Sequence, residues 1–261
     1  MHQDVQDLRN FYYRNALGRA VQSTLRQEIA NIWPEAKGQT VVGFGFATPF
    51  LRPYLTESRR VLAMMPAPQG VIRWPKNEPN VSVLCEETNW PIETGHVDKL
   101  LVVHGLETSE RPGRLFDECW RVLGPGGSAL FIVPNRAGIW SRSDATPFGY
   151  GRPYSQSQLE NALKSHNFLP EAHVTTLFQP PSNRRIWRKM SAMLENLGGK
   201  LSFLAAGGVL IVHASKRIQA PSGGSRIKDT VRKPLEVLAP KPKPEVTRAR
   251  VPSSSKFPDP K

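Results

Sequence analysis

The chain has 261 residues, 39 % of them hydrophobic, and a formal net charge of +13. That is enough apolar material for a real core, which excludes a wholly disordered chain and a disulfide-stapled miniprotein. The longest apolar run, Leu201 to Val212, is too short to span a bilayer, and the polar N-terminus lacks the apolar core of a signal peptide.

Asp7 to Trp33 has helical spacing, with Leu8, Phe11, Tyr12, Leu17, Val21, Leu25 and Ile29 on one side, and Pro34 and Gly38 end it. Thr40 to Phe46 is a short apolar run that enters Gly43 and Gly45, so strand then turn. Thr48 is placed to cap a helix that has Pro49 at its first position. Further strands are expected at Arg60–Met65, Val81–Cys85, Val97–His104 and Ser128–Val133. A helix over Glu107–Leu123 is stopped by Gly124-Pro125-Gly126-Gly127. Pro66 and Pro68 argue against an ordinary helix in the second crossover. A helix at Ser155–Ser165, a strand at His173–Phe178, a helix at Asn183–Leu197 and a strand at Gly208–His213 complete the pattern.

Strands alternating with helices imply a doubly wound, mostly parallel sheet of about seven strands. Runs such as Leu100–Val103 and Ala129–Val133 suit strands covered on both faces. Lys216 to Lys261 carries 12 Lys and Arg against 4 Asp and Glu, so +8, with 8 of the 24 prolines. Residues 1–215 therefore read as the domain and 216–261 as a basic, Pro-rich, disordered tail. Cys85 and Cys119 make neither a disulfide framework nor a zinc site, and the chain reads as cytoplasmic and metal-free.

In such a sheet ligands bind beyond the carboxyl ends of the strands, where strand order reverses. The first turn, Val41-Val42-Gly43-Phe44-Gly45-Phe46-Ala47-Thr48, lets backbone pass close to a ligand. Downstream, Trp90-Pro91-Ile92-Glu93 precedes Val97-Asp98, and Arg121-Val122-Leu123-Gly124-Pro125-Gly126-Gly127 leads into the fifth strand. In this order the motifs resemble the class I S-adenosylmethionine-dependent methyltransferases (methyltransferase type 11-like), over about Thr40 to Phe178.

The resemblance implies S-adenosyl-L-methionine as cofactor and methyl transfer to an unidentified acceptor, a small molecule among the candidates. It implies that Gly43, Phe44 and Gly45 line the methionine and ribose end, and that Glu86, with Glu87 beside it, faces the adenine amine. It places His104 beside the cofactor's methionine part. His104, Asn135 and Arg136 are the candidate catalytic residues, with Tyr150 near the same edge and Trp140–Tyr154 as a candidate lid.

Two departures stand out. Gly43 occupies the family's first acidic position, and Ala47 and Thr48 stand where later glycines are usual. The second strand ends Met64-Met65-Pro66, without the acid that accepts both ribose hydroxyl protons. Losing that acceptor removes on the order of 1.5–3 kcal/mol, so affinity is expected to be weaker by roughly ten- to a hundredfold. The competing reading is a methyltransferase-like binding or scaffold protein without catalysis. It would contact nucleic acid or an anionic surface through the basic helix at Asn183–Met190 and the tail. A nicotinamide-dependent oxidoreductase fits less well, because the third glycine of its loop and a Tyr-x-x-x-Lys pair are both missing.

Overall fold

The computed structural model describes residues 3–179, 181 and 207–217. The expected helix at Asn183–Leu197 and the tail beyond Arg217 lie outside the described residues.

The N-terminal periodicity is two helices, not one: α1 (Val5–Arg14) and α2 (Ala16–Ile32). Asn15 makes the break. Its extended backbone cannot continue a helix, its N–H closes α1 onto Asn10 and Phe11 oxygens, and its side chain accepts from Leu17 N to cap α2. Gly18 lets the two helices meet, since a Cβ there would collide with the Phe11 carbonyl. Both helices bury the stripe that the spacing predicts.

Then follow β1 (Thr40–Gly45), α3 (Thr48–Leu51), β2 (Arg60–Pro66), β3 (Ser82–Cys85), β4 (Val97–Val103) and α4 (Pro112–Val122). They are succeeded by β5 (Leu123–Pro134), α5 (Gln156–Ser165), β6 (Phe168–Thr176) and β7 (Val209–Lys216). The sheet has seven strands in the order β3-β2-β1-β4-β5-β7-β6. The first five run parallel, and β7 is antiparallel to both β5 and β6. Order reverses between β1 and β4, so a cleft is expected at their carboxyl ends.

Successive residues of each strand serve opposite faces. Val41, Leu101 and Leu130 join α1, α2 and α3 in one apolar cluster, while Val42, Phe44, Leu100 and Phe131 join α4 and α5 in the other. This explains the unbroken apolar runs.

Three expectations need correction. Thr48 does not cap α3: Ala47 is the N-cap residue, no side chain caps it, and the Thr48 hydroxyl is buried without a partner. The helix expected from Glu107 starts only at Pro112, the proline at its first position. The Gly124–Gly127 stop is not a turn before a strand. It is an irregular stretch inside β5, where Leu123 pairs with Val97 but Ser128 already pairs with Lys99. The connection 67–81 holds no helix.

Candidate functional site

The carboxyl ends of β1, β2 and β4 are brought together by ladder pairing, and Phe46 N donates to Val103 O (2.8 Å) just beyond it. Gly45 is needed there. Its φ is 80°, and a Cβ would run into the Val103 carbonyl oxygen. Gly43 is packed against Ala47 and Leu51 of the following turn. Phe44 points to the opposite face, fully buried, with its ring stacked on Trp90 at 4.7 Å. Gly43 and Phe44 are thus held in packing, and Gly45 is the residue that shapes the loop.

His104 follows β4 with φ 51°, a left-handed conformation that non-glycine residues rarely adopt. It is fully buried. Its Nε2 lies 2.7 Å from the Tyr12 hydroxyl and its Nδ1 3.1 Å from Glu107 Oε1. Burial, the charge of Glu107 and Tyr13 push the Tyr12 phenol well above its usual range. A neutral phenol donating to Nε2 leaves the imidazole proton on Nδ1, facing Glu107. The second carboxylate oxygen, Glu107 Oε2, is buried without a hydrogen-bond partner. Gln69, in the connection after β2, donates from Nε2 to the His104 carbonyl (3.0 Å), and its Oε1 is likewise buried and unpartnered.

Tyr12 and Glu107 were not singled out in the sequence. Glu107 stands three residues after His104, a spacing that could have drawn notice. Tyr12 is 92 residues away, and only the fold brings it there. Its ring lies against Phe46 (5.9 Å, stacked) and Phe50 (5.6 Å, edge-on), so α1 covers the carboxyl ends of the strands.

The other expected residues are scattered. Glu86 is exposed beyond β3 and forms an isolated bridge with Asn89. Glu87 is half-buried, and its Oε1 accepts from Ser109 Oγ. Asn135 is buried and spent on structure, donating to Gly207 O (2.8 Å) and accepting from Ala137 N (3.1 Å). Arg136 is exposed and bonds the Pro153 carbonyl. Neither bond partner belongs to the His104 cluster. The segment 140–154 is packed down: Trp140 and Phe148 are buried, and Phe148 meets the His104 ring at 4.8 Å. Tyr150 is half-buried beside the cavity along α1.

The downstream motif has a structural purpose. Glu118, buried on α4, accepts from Trp90 N (2.6 Å) and from Arg121 Nε (2.8 Å) and Nη2 (2.7 Å). Arg121 also donates to the Ile92 and Trp90 carbonyls. It staples the Trp90–Thr94 segment to the helix that leads into β5.

A methyltransferase-domain family model matches residues 41–131. Among solved structures, the fold is similar to a SAM-dependent methyltransferase of Thermotoga maritima, described as a possible histamine N-methyltransferase. Identity is 17 %, coverage 82 % of this chain and 96 % of that one, and the TM-score 0.57. A SAM-dependent methyltransferase of Archaeoglobus fulgidus is similar at 15 % identity, 82 % and 100 % coverage, and TM-score 0.56. Geranyl diphosphate C-methyltransferase of Streptomyces coelicolor, solved with S-adenosyl-L-homocysteine, is similar at 17 %, 75 % and 77 %, and 0.51.

The fold is that of the class I S-adenosylmethionine-dependent methyltransferases.

No curated protein sequence matches the chain. The residues suit the cofactor of the methyltransferase fold unevenly. The close approach at Gly45 is to the Val103 carbonyl, and Gln69 Oε1 and Glu107 Oε2 are buried acceptors without a hydrogen-bond partner at the strand ends. A carboxylate and an amide oxygen suit a ligand that carries an ammonium and a sulfonium charge. The ribose side lacks its acid: Met65 is fully buried in the apolar cluster beneath α2 and α3. Among the described residues no cluster of His, Cys, Asp and Glu could hold a metal ion, and no helix is long and apolar enough to cross a membrane.

Proposed function

We propose that the protein is an S-adenosyl-L-methionine-dependent methyltransferase whose reacting centre lies at the carboxyl ends of β1, β2 and β4, under α1. The observation that carries this reading is the His104 cluster at the strand-order reversal: a strained, buried histidine between Tyr12 and Glu107. Gly43, Phe44 and Gly45, at the end of β1, would stand at the cofactor's methionine and ribose end, with Gly45 shaping the turn that follows. Glu86 and Glu87 would flank the adenine, and His104 would lie on the side of the methionine part.

When bound, the cofactor supplies an already activated methyl group. The chain's own task is to align the acceptor, exclude water and take a proton. His104 is the group placed for the proton. Its Nε2 is the exchange atom once the Tyr12 hydroxyl moves aside, and Glu107 holds Nδ1–H and stabilises the imidazolium. Phe46, Phe50 and Phe148 keep the centre dry. Asn135 and Arg136 act at the edge, holding the segments at Gly207 and Pro153 in place. Two free buried cysteines, Cys85 and Cys119, go with a reducing compartment and so with a cytoplasmic enzyme.

Two observations favour a second reading, a methyltransferase-like scaffold protein that no longer catalyses or takes up the cofactor and contacts nucleic acid instead. The acid for the ribose is replaced by buried Met65, and Tyr12 occupies the space above His104. Calorimetric titration of S-adenosylmethionine and S-adenosylhomocysteine separates the two. One-to-one binding, weakened at least tenfold by Gly45→Asp, is the expected result. An absence of heat up to millimolar cofactor contradicts the first reading and leaves the second.

A further inference from the structure

Beside α1, sharing Arg14 with the cavity that Asp4, Asp7 and Asp144 line, lies a second cavity of about 980 Å³. Six cationic side chains line it: Arg9, Arg14, Arg26, Arg52, Arg73 and Lys76. They come from four separate places: α1, α2, the turn after α3, and the connection between β2 and β3. No Asp or Glu lines the cavity. Among the described residues none of the six is in an ion pair.

A solvated basic face would ordinarily be spread out and interleaved with acids. Here the cations converge on one concavity, where walls of low dielectric focus a field of one sign. Arg26 is the least exposed of them. It is half-buried with its Nε tied to the Pro49 carbonyl (2.7 Å), which fixes the guanidinium at the wall. Burial lowers its pKa, the nearby Tyr13 raises it, and the like charge of Arg52, which lines the same cavity, lowers it again. The walls are also partly apolar. Tyr13 and Val71 are exposed within it, at 39 % and 43 %, and Trp74 lies behind.

We propose that this cavity is a binding site for a small organic polyphosphate: several phosphate charges joined to a flat or apolar group. Six cations exceed what one phosphate can use, and Arg forks match phosphate oxygens in pairs. The volume is that of a small-molecule site. The apolar wall gives the non-phosphate part a surface, with Tyr13 as the exposed ring for stacking. The site is separate from the His104 cluster, and its occupancy does not depend on the methyltransferase reading. The two share α1, which turns Tyr12 toward His104 and Tyr13 toward the cavity.

The test is calorimetry on the full chain with inorganic tripolyphosphate and with ATP, both free of metal, at about 150 mM salt. Both are expected to bind one to one, ATP more tightly through its ring. The triple substitution R9E/R73E/K76E should weaken both by about a hundredfold or more, since each charged contact is worth roughly a factor of ten. The milder pair R73Q/K76Q should weaken them by less, with thermal unfolding confirming that both variants fold. K241E/K243E in the basic tail should leave both unchanged. The proposal is overturned if the groove variants bind as the parent does. It is overturned equally if the tail variant alone loses binding, if the heats never saturate, or if a 20-nucleotide single-stranded RNA binds tightly and ATP fails to compete.

Discussion

Two ends of the sheet, the start of β4 and β5 beside α4 and the carboxyl end of β4 at His104, are built on opposite principles. Around α4, the residues that match the family make a satisfied network. Glu118 takes three donors, Arg121 reaches two carbonyls and the Thr94 hydroxyl, and Gly95 N returns to the Arg121 carbonyl. Around His104, at the opposite end of β4, the structure is strained and incompletely bonded. It has a positive φ on a histidine and buried acceptors at Gln69 and Glu107 without partners. The first region specifies the fold. The second leaves polar atoms free for something outside the chain, which is where departures from family pattern, Gly43 and Met65, also fall. A family motif can thus be kept for architecture while ligand contacts drift.

The largest expected effect breaks the first region. Arg121→Ala strands a buried carboxylate and frees two carbonyls, so it should cost about 2–3 kcal/mol. A fall in Tm of roughly 5–10 °C by circular dichroism would accompany it. An unchanged Tm would mean that the network is only decorative and the contrast is false.

Tyr12→Phe probes the second region and should do less. It removes one hydrogen bond to His104 at a cost of about 1 kcal/mol, keeping the ring between Phe46 and Phe50. Because the hydroxyl then no longer covers Nε2, chemical modification of His104 by diethyl pyrocarbonate should become faster than in the parent. A loss of stability matching Arg121→Ala would place Tyr12 in the frame.

The smallest effect is in pH. Burial raises the Glu118 carboxyl, but hydrogen bonds from Arg121 and Trp90 N, with the Arg121 charge, outweigh it and hold the group below its usual range. A depressed carboxylate contributes stability above the unfolded pKa, and that contribution disappears as pH falls through the folded value. Denaturant unfolding should therefore show stability declining from about pH 5 downward, and Glu118→Gln should flatten this part of the profile. A Glu118→Gln profile as steep as the parent's would assign the acid sensitivity elsewhere.

The sheet was readable because its strands are buried on both faces, and Leu100–Val103 and Ala129–Val133 show this without reference to partners. Helix existence was readable from apolar spacing, but the break at Asn15 was not. The stripe from Phe11 and Tyr12 to Leu17 continues across it, and only the backbone change reveals the cap. Gly124–Gly127 has the chemistry of a turn, yet the neighbouring strand draws Leu123 back into the ladder. At the site, His104 was legible from its place after an apolar strand. Its partner Tyr12 was not, because a contact across 92 residues carries no local signal. Asn135 looked equally placed after β5, but its amide is consumed by Gly207 and Ala137.

The most direct test of a cofactor site at these strand ends is amide hydrogen exchange with and without saturating S-adenosylhomocysteine. Added protection is expected in residues 43–48, 65–70, 85–88 and 104–107, with 90–95 and 118–124 already protected and unchanged. Binding without protection at those four strand ends, or protection confined to another face, would contradict it.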